Sequence, residues 1–166
     1  MADLLPALTI HQPWAWCIAH STKRIENRTW APPQSVFGKF IAIHAGAVPR
    51  TKKAHGEIME LAEQLEAPPG SLEFGAVVAI AKVVRVIEEE PFVQSPHYLW
   101  WNGPLAWELD DVFALTTPIR AKGKQGLWKL DAPSTALVRA QWKVHHGKQL
   151  TYAEQERLAL MDPATH

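Results

Sequence analysis

The run from Gly75 to Ile87 (GAVVAIAKVVRVI) constrains this chain more than any other stretch. Valine, isoleucine and alanine dominate it, and β-branched residues suit a pleated, buried surface. It is well beyond the ~5–6 residues of an ordinary strand, so it is predicted not to lie flat but to carry a bend or a bulge.

Other strands read from alternation and punctuation. Residues 7–12 alternate, and Pro13 then suits the first turn of a helix, where its missing N–H costs nothing. That helix runs Trp14 to His20, with Trp14, Cys17 and Ile18 on one face. Residues 24–30 set Arg24, Glu26, Arg28 and Trp30 against Ile25, Asn27 and Thr29, a period of two that ends at Pro32-Pro33. Gly38 to Ala45 is a further strand. Residues 51–66 place Ala54, Ile58, Leu61, Ala62 and Leu65 at helical spacing, and Pro68-Pro69-Gly70 stops that helix. Residues 91–103 form a long aromatic loop. Leu105 to Leu115 and Gly126 to Leu130 are the last strands, and 134–146 and 151–161 are helical. The sum is an α+β chain: a small, mostly antiparallel β-barrel or strongly curled sheet of five to six strands, with flanking helices and a C-terminal helical appendage. It is expected to form a single domain over residues 1–166.

Lys+Arg and Asp+Glu both count 17, so the formal net charge is zero. Proteins that grip long nucleic acid usually carry a basic excess, so the overall balance favours a small ligand while leaving room for a local basic patch. One cysteine, Cys17, excludes an internal disulfide, and its apolar setting points to an inert buried thiol. No secretory-type leader or membrane-length apolar run is present, and a cytoplasmic location is expected.

Candidate chemistry gathers in two adjoining pieces, Thr9-Ile10-His11-Gln12-Pro13-Trp14-Ala15-Trp16 and Lys23-Arg24-Ile25-Glu26-Asn27-Arg28-Thr29-Trp30. Lys23 and Glu26 lie three positions apart across a turn into a strand. They are either a reactive pair, with Glu26 activating water and Lys23 stabilising an oxyanion, or an ion pair bracing the corner. Gln12 can read the edge of a base, and Trp14 or Trp101 can stack on its face. Trp16 and Trp128 are expected in the core. Asn102 reads a polar group or caps a turn, and His44 faces the cleft or serves as scaffold. His11, Cys17, His20, His44 and His55 lack zinc spacing, so no metal is expected, and His145-His146 read as surface. Lys52 and Lys53 crowd the start of the 51–66 helix against its macrodipole, which suggests either a phosphate site or a solvated face eased by Lys53–Glu57. Lys122 and Lys124 in the glycine turn offer a second cationic rim.

Together, Leu8-Thr9-Ile10-His11-Gln12-Pro13-Trp14-Ala15, Lys23-Arg24-Ile25-Glu26-Asn27-Arg28, Ile43-His44-Ala45 and Gly123-Lys124-Gln125-Gly126-Leu127-Trp128 resemble the ASCH domain family. The pattern spans residues 8–130, leaving 131–166 as the appendage. The resemblance implies a PUA-like β-barrel with a cleft for a ligand related to RNA or its nucleosides. Relatives are amidohydrolases of N4-acylated cytosine or RNA-binding and RNA-cleaving modules. The small amidohydrolases carry Lys-x-x-Thr-x-Arg with a catalytic lysine, a catalytic threonine and a later glutamate; this chain keeps Lys23 and Arg28 but has Glu26 at the threonine position, so that hydroxyl does not carry over. The first expectation is therefore a metal-free and cofactor-free amidohydrolase acting on an N4-acylated cytosine nucleoside or base. Lys23 and Glu26 would be catalytic, and Gln12, Trp14, Arg28, His44, Trp101 and Asn102 would bind substrate. The alternative is an RNA-binding module whose phosphates meet Arg28, Lys52, Lys53 and Lys124. Neither expectation calls for a membrane or an obligate protein partner.

Overall fold

A computed structural model describes residues 3–161. Six strands form one sheet: β1 (Pro6–Ile10), β2 (Ile25–Arg28), β3 (Phe40–Ala45), β4 (Ala76–Ile87), β5 (Leu105–Arg120) and β6 (Leu127–Lys129). Their order is β2-β5-β4-β3-β1-β6. Every pairing is antiparallel except β1 with β3, whose crossover carries α1 (Trp14–His20) and β2. The sheet is strongly curled, a half-barrel of the α+β kind expected. The described residues hold three further α-helices: α2 (Lys52–Gln64), α3 (Ala132–His145) and α4 (Tyr152–Met161). No helix among the described residues is long and apolar enough to cross a membrane.

The curl comes from the two long strands. The β4–β5 register shifts at three places, between Val77 and Ala79, Ile80 and Lys82, and Val83 and Arg85. Each irregularity adds local right-handed twist, as the length of the valine-rich run predicted. β5 runs to Arg120, beyond the predicted end at Leu115. Pro118 is tolerated because it falls in the first of these shifts, between the pairs Ala79↔Ala114 and Val77↔Ile119, where a missing N–H breaks no ladder bond.

Alternation sorts the apolar residues onto two faces. Leu8, Ile10, Ile41, Ile43, Ala79, Ala81, Trp107 and Leu109 form the inner core, sealed by Ala15 and Ile18 of α1. Ala7, Ala42, Ile80, Phe113 and Trp128 face the other way and are covered by Val138 of α3. Asp131 caps α3, its carboxylate accepting from the Ser134 N–H at 2.8 Å. Gln141 then pins the helix to β5, exchanging bonds of 3.0 and 2.8 Å with the Thr117 N–H and C=O. Within the C-terminal helical appendage, α3 thus braces the second core.

Candidate ligand cleft

Beyond the last β1–β6 pair, Leu8↔Leu127, β1 continues into the turn that launches α1. Beside it lies a cleft of about 480 Å³, walled by Thr9, His11, Arg28, His44 and the Ala121–Gly126 turn. Its charged lining is entirely cationic: Arg28, Lys122 and Lys124, with no carboxylate. Gly46, Gly75, Gly123 and Gly126 line much of the remainder, so main-chain groups reach the space without side chains in the way.

Arg28 is held from behind. Its Nη2 donates to the Thr9 carbonyl at 2.8 Å, and its Nε stands 3.3 Å from Glu26 Oε1. The other Glu26 oxygen accepts from Lys23 Nζ at 3.2 Å, and Lys23 also donates to the Ile25 carbonyl. Lys23 is only 3 % exposed and Glu26 8 %. The sequence expectation that Lys23 and Glu26 meet is met, but neither lines the cleft. Two cations around one carboxylate leave a net positive charge, delivered at Arg28.

His44 is 1 % exposed and both ring nitrogens are engaged. Nε2 lies 2.6 Å from the Ala121 carbonyl, which can only accept, so Nε2 carries the proton. Nδ1 then accepts from the Thr9 hydroxyl at 3.2 Å, and the Thr9 oxygen accepts from Trp128 Nε1 at 3.1 Å. Burial lowers the pKa of His44, only partly offset by the Ala121 bond, so the ring is neutral. Trp128 crosses it edge-on at 5.4 Å and belongs to the core, as expected. A Cβ on Gly123 would lie 2.8 Å from both His44 Cε1 and Thr9 Oγ1, so glycine is what lets this turn close over the imidazole.

The remaining candidates are more dispersed. Gln12 is 4 % exposed, and its amide bonds to the main chain: Nε2 donates to Glu73 O at 2.7 Å and Oε1 accepts from Trp16 N–H at 2.9 Å. These two bonds brace the turn and use one of its two N–H donors and one of its two oxygen lone pairs. Trp14 packs against the inner core and meets Trp100 edge-on at 6.5 Å, whereas Trp16 is half-buried and tilts over His20, correcting the expectation that Trp16 is core. Trp101 and Asn102 lie in the aromatic loop and do not line the cleft. Trp101 covers Gly103, where a Cβ would meet its ring at 3.2 Å, and Asn102 is exposed. Lys52 and Lys53 stand exposed on α2, Lys53 loosely paired with Glu57 at 3.9 Å. Of the three phosphate-site lysines expected, only Lys124 is in the cleft. His145 and His146 are exposed, and no group of three His, Cys, Asp or Glu side chains among the described residues is arranged to hold a metal.

Sequence reasoning missed Asn27 and Thr9. Asn27 Oδ1 accepts from the N–H groups of Asn102 and Gly103 at 2.9 and 3.2 Å, while Nδ2 donates to Trp100 O at 2.9 Å, fixing the aromatic loop to β2. An asparagine inside an alternating strand, where it is disfavoured, was the available signal. Thr9 joins Arg28, His44 and Trp128, and its place two residues after Ala7 puts it on their face.

The model of the ASCH domain matches residues 8–116, more than half of the chain. This chain belongs to the ASCH domain family. Among solved structures it is similar to an ASCH protein from Zymomonas mobilis, at 14% identity and a TM-score of 0.45 over 94% of each chain. A single-substitution variant of that protein matches at 16% identity and a TM-score of 0.41, covering 76% of this chain and 88% of the other. No curated protein matches the chain in sequence. In this ASCH domain Arg28, the last residue of the Lys-x-x-Glu-x-Arg element, is tied to the strand that precedes Gln12-Pro13-Trp14-Ala15 through the Thr9 carbonyl.

Proposed function

We propose that this ASCH domain binds a nucleotide unit of RNA, with a phosphate in the glycine-lined cleft. The observation that carries the reading is the lining itself, with Arg28, Lys122 and Lys124 and no carboxylate. Guanidinium and ammonium groups beside open main chain suit phosphate oxygens, and charge-assisted bonds to them are about twice as strong as neutral ones. The zero net charge of the whole chain does not oppose this, because the positive charge is local. Fluorescence anisotropy with a short single-stranded RNA across a salt series tests it. Affinity should fall steeply with salt, with a log–log slope of about −0.7 per phosphate contacted. Absence of binding at low salt, or affinity indifferent to salt, contradicts the reading.

A second reading rests on Lys23 and Glu26, buried directly behind Arg28. In this reading Glu26, flanked by Lys23 and Arg28, takes a proton from the water that attacks the acyl carbonyl, Lys23 stabilises the oxyanion, and the proton passes to N4 as the C–N bond breaks to give the free amine and a carboxylate. Substrate would have to displace Arg28 to reach the pair. Turnover of N4-acetylcytidine, followed by ultraviolet absorbance beside Lys23→Ala, separates the two readings. Cytidine release by the native chain alone supports hydrolysis, and none from acetyl or longer acyl substrates leaves the binding role.

A further inference from the structure

The α3 side of the sheet holds a pocket of about 420 Å³ that shares no residue with the cationic cleft. Its walls are apolar: Leu4, Leu5, Phe40, Ile80, Val138 and Trp142. The second core does not collapse into this space because the groups that could close in are held elsewhere. Trp142 stacks on His146, the ring centroids 4.2 Å apart, and the Lys148 ammonium lies 4.7 Å over its ring. Phe40 carries the Lys82 ammonium at 5.2 Å. Leu5 is fixed through its main chain: its N–H donates to the Thr135 hydroxyl at 3.2 Å, and its carbonyl accepts from the Leu130 N–H at 2.9 Å. Val138 and Ile80 are buried members of the core itself. The pocket is therefore preformed, and its size falls within the ~300–1,000 Å³ of ordinary ligand sites.

Three charged side chains line it: Lys39, Arg139 and Asp3. All three are exposed, and none takes part in an ion pair among the described residues. Arg139 Nη2 donates to the main-chain carbonyl of Asp3 at 2.6 Å, which anchors the guanidinium at the mouth without neutralising it. Two cations against one carboxylate leave one net positive charge beside an apolar hollow. A single negative charge on an apolar body matches both features, whereas a phosphate dianion exceeds the charge on offer. The planar guanidinium fork also suits the two oxygens of a carboxylate. We infer that this pocket binds a small amphipathic monocarboxylate, its carboxylate between Lys39 and Arg139 and its apolar chain against Phe40 and Trp142. The site stands apart from the phosphate reading of the cleft and does not depend on it.

Calorimetric titration of the full chain with octanoate, hexanoate, octanol and octylamine tests this, with amide chemical shifts locating the site. Octanoate should bind about tenfold more tightly than octanol, the gain of one charge-assisted hydrogen bond at an exposed mouth. Octylamine should bind no more tightly than octanol. Each methylene lost on going to hexanoate should weaken binding about fourfold, since a buried methylene contributes about 0.8 kcal/mol. The shifts should centre on residues 4–6, 39–40 and 138–142. Lys39→Gln combined with Arg139→Gln, both at exposed positions, should bring octanoate down to the level of octanol and leave octanol unchanged. Leu4→Glu, at a wall position outside both cores, should weaken octanoate and octanol alike. No binding of octanoate, or binding no tighter than that of octanol, overturns the site. So does octylamine binding as tightly as octanoate, a double variant that keeps the tenfold preference, or shifts centred on Thr9 and Gly123 in the cationic cleft.

Discussion

Arg28 on β2 donates to the main-chain oxygen of Thr9 on β1 at 2.8 Å. β2 is the first strand of the hydrogen-bonded order and β1 the fifth, so one side chain ties together strands that only the curl of the sheet brings close. The same guanidinium lines the cleft and leans on Glu26, itself neutralised by Lys23. Structural closure and ligand charge therefore converge on one residue, and Lys23 keeps Glu26 from cancelling it.

Arg28→Ala should weaken RNA binding and make the log–log salt slope shallower by about 0.7, the share of one phosphate contact on a single strand. Anisotropy titrations at several salt concentrations check this. A lower affinity with an unchanged slope would mean that Arg28 acts through the fold and not on phosphate.

Removing one member of the Lys23–Glu26 pair strands a buried charge, a loss of about 3–5 kcal/mol, whereas replacing both by apolar groups costs much less. Lys23→Met should therefore destabilise strongly, and Lys23→Met with Glu26→Leu should recover most of the loss in urea denaturation. Lys23→Met should also weaken RNA binding from outside the cleft, because Glu26 then offsets Arg28. Additive losses in the double variant would show that the two side chains are not coupled.

The strands, the first helix and the encounter of Lys23 with Glu26 were legible because each depends on neighbours in sequence: a period of two, a proline at a helix start, a spacing of three across a turn. What escaped depends on residues far apart. The commitment of Gln12 requires Glu73, the tethering of the aromatic loop requires Asn27, and the environment of His44 requires Gly123 and Ala121. The end of β5 was misplaced for a related reason: Pro118 breaks a strand only if its N–H is needed, and the irregular pairing that spares it belongs to β4. Lys52 and Lys53 seemed equivalent to Lys124 by charge, yet only the fold brings Lys124 beside Arg28.

Gly123→Ala is expected to be costly although it adds a single methyl. The atoms in its way belong to His44, fixed through both ring nitrogens, and to Thr9, fixed by Trp128. Neither can swing aside cheaply, so a loss of about 1–3 kcal/mol follows from overpacking. Thermal denaturation measures it, and loosened packing around Trp128 should appear in near-ultraviolet circular dichroism. A variant as stable as the parent would show that the 121–126 turn is free to move.

Cys17 is fully buried, and burial pushes its thiol up to about 11 against the opposing charge of Lys23. The thiolate is the reactive form, so a disulfide reagent at pH 8 should leave the folded chain unmodified. Labelling should begin only with unfolding, its urea midpoint coinciding with that from tryptophan fluorescence. Rapid labelling without denaturant would show that α1 opens locally.

His44 gives stability a defined response to acid. In the unfolded chain its ring takes up a proton as the pH falls through 6.5, whereas burial holds the folded pKa below that value. Below pH 6.5 the unfolded state therefore binds more protons, and stability falls with pH by up to about 1.4 kcal/mol per unit for this one group. The loss levels off once the pH passes below the folded pKa, and above 6.5 His44 contributes no pH dependence. Protonation would also put a second N–H where Nδ1 now accepts from Thr9, removing the acceptor that orients the hydroxyl. His44→Gln keeps a donor for Ala121 but cannot be protonated. Urea denaturation of both proteins between pH 7.5 and 5 should show the native chain losing stability on the acid side and the variant losing less. Parallel curves would mean that the folded protein takes up this proton as readily as the unfolded one, contrary to the burial and bonding of His44 beside the cleft.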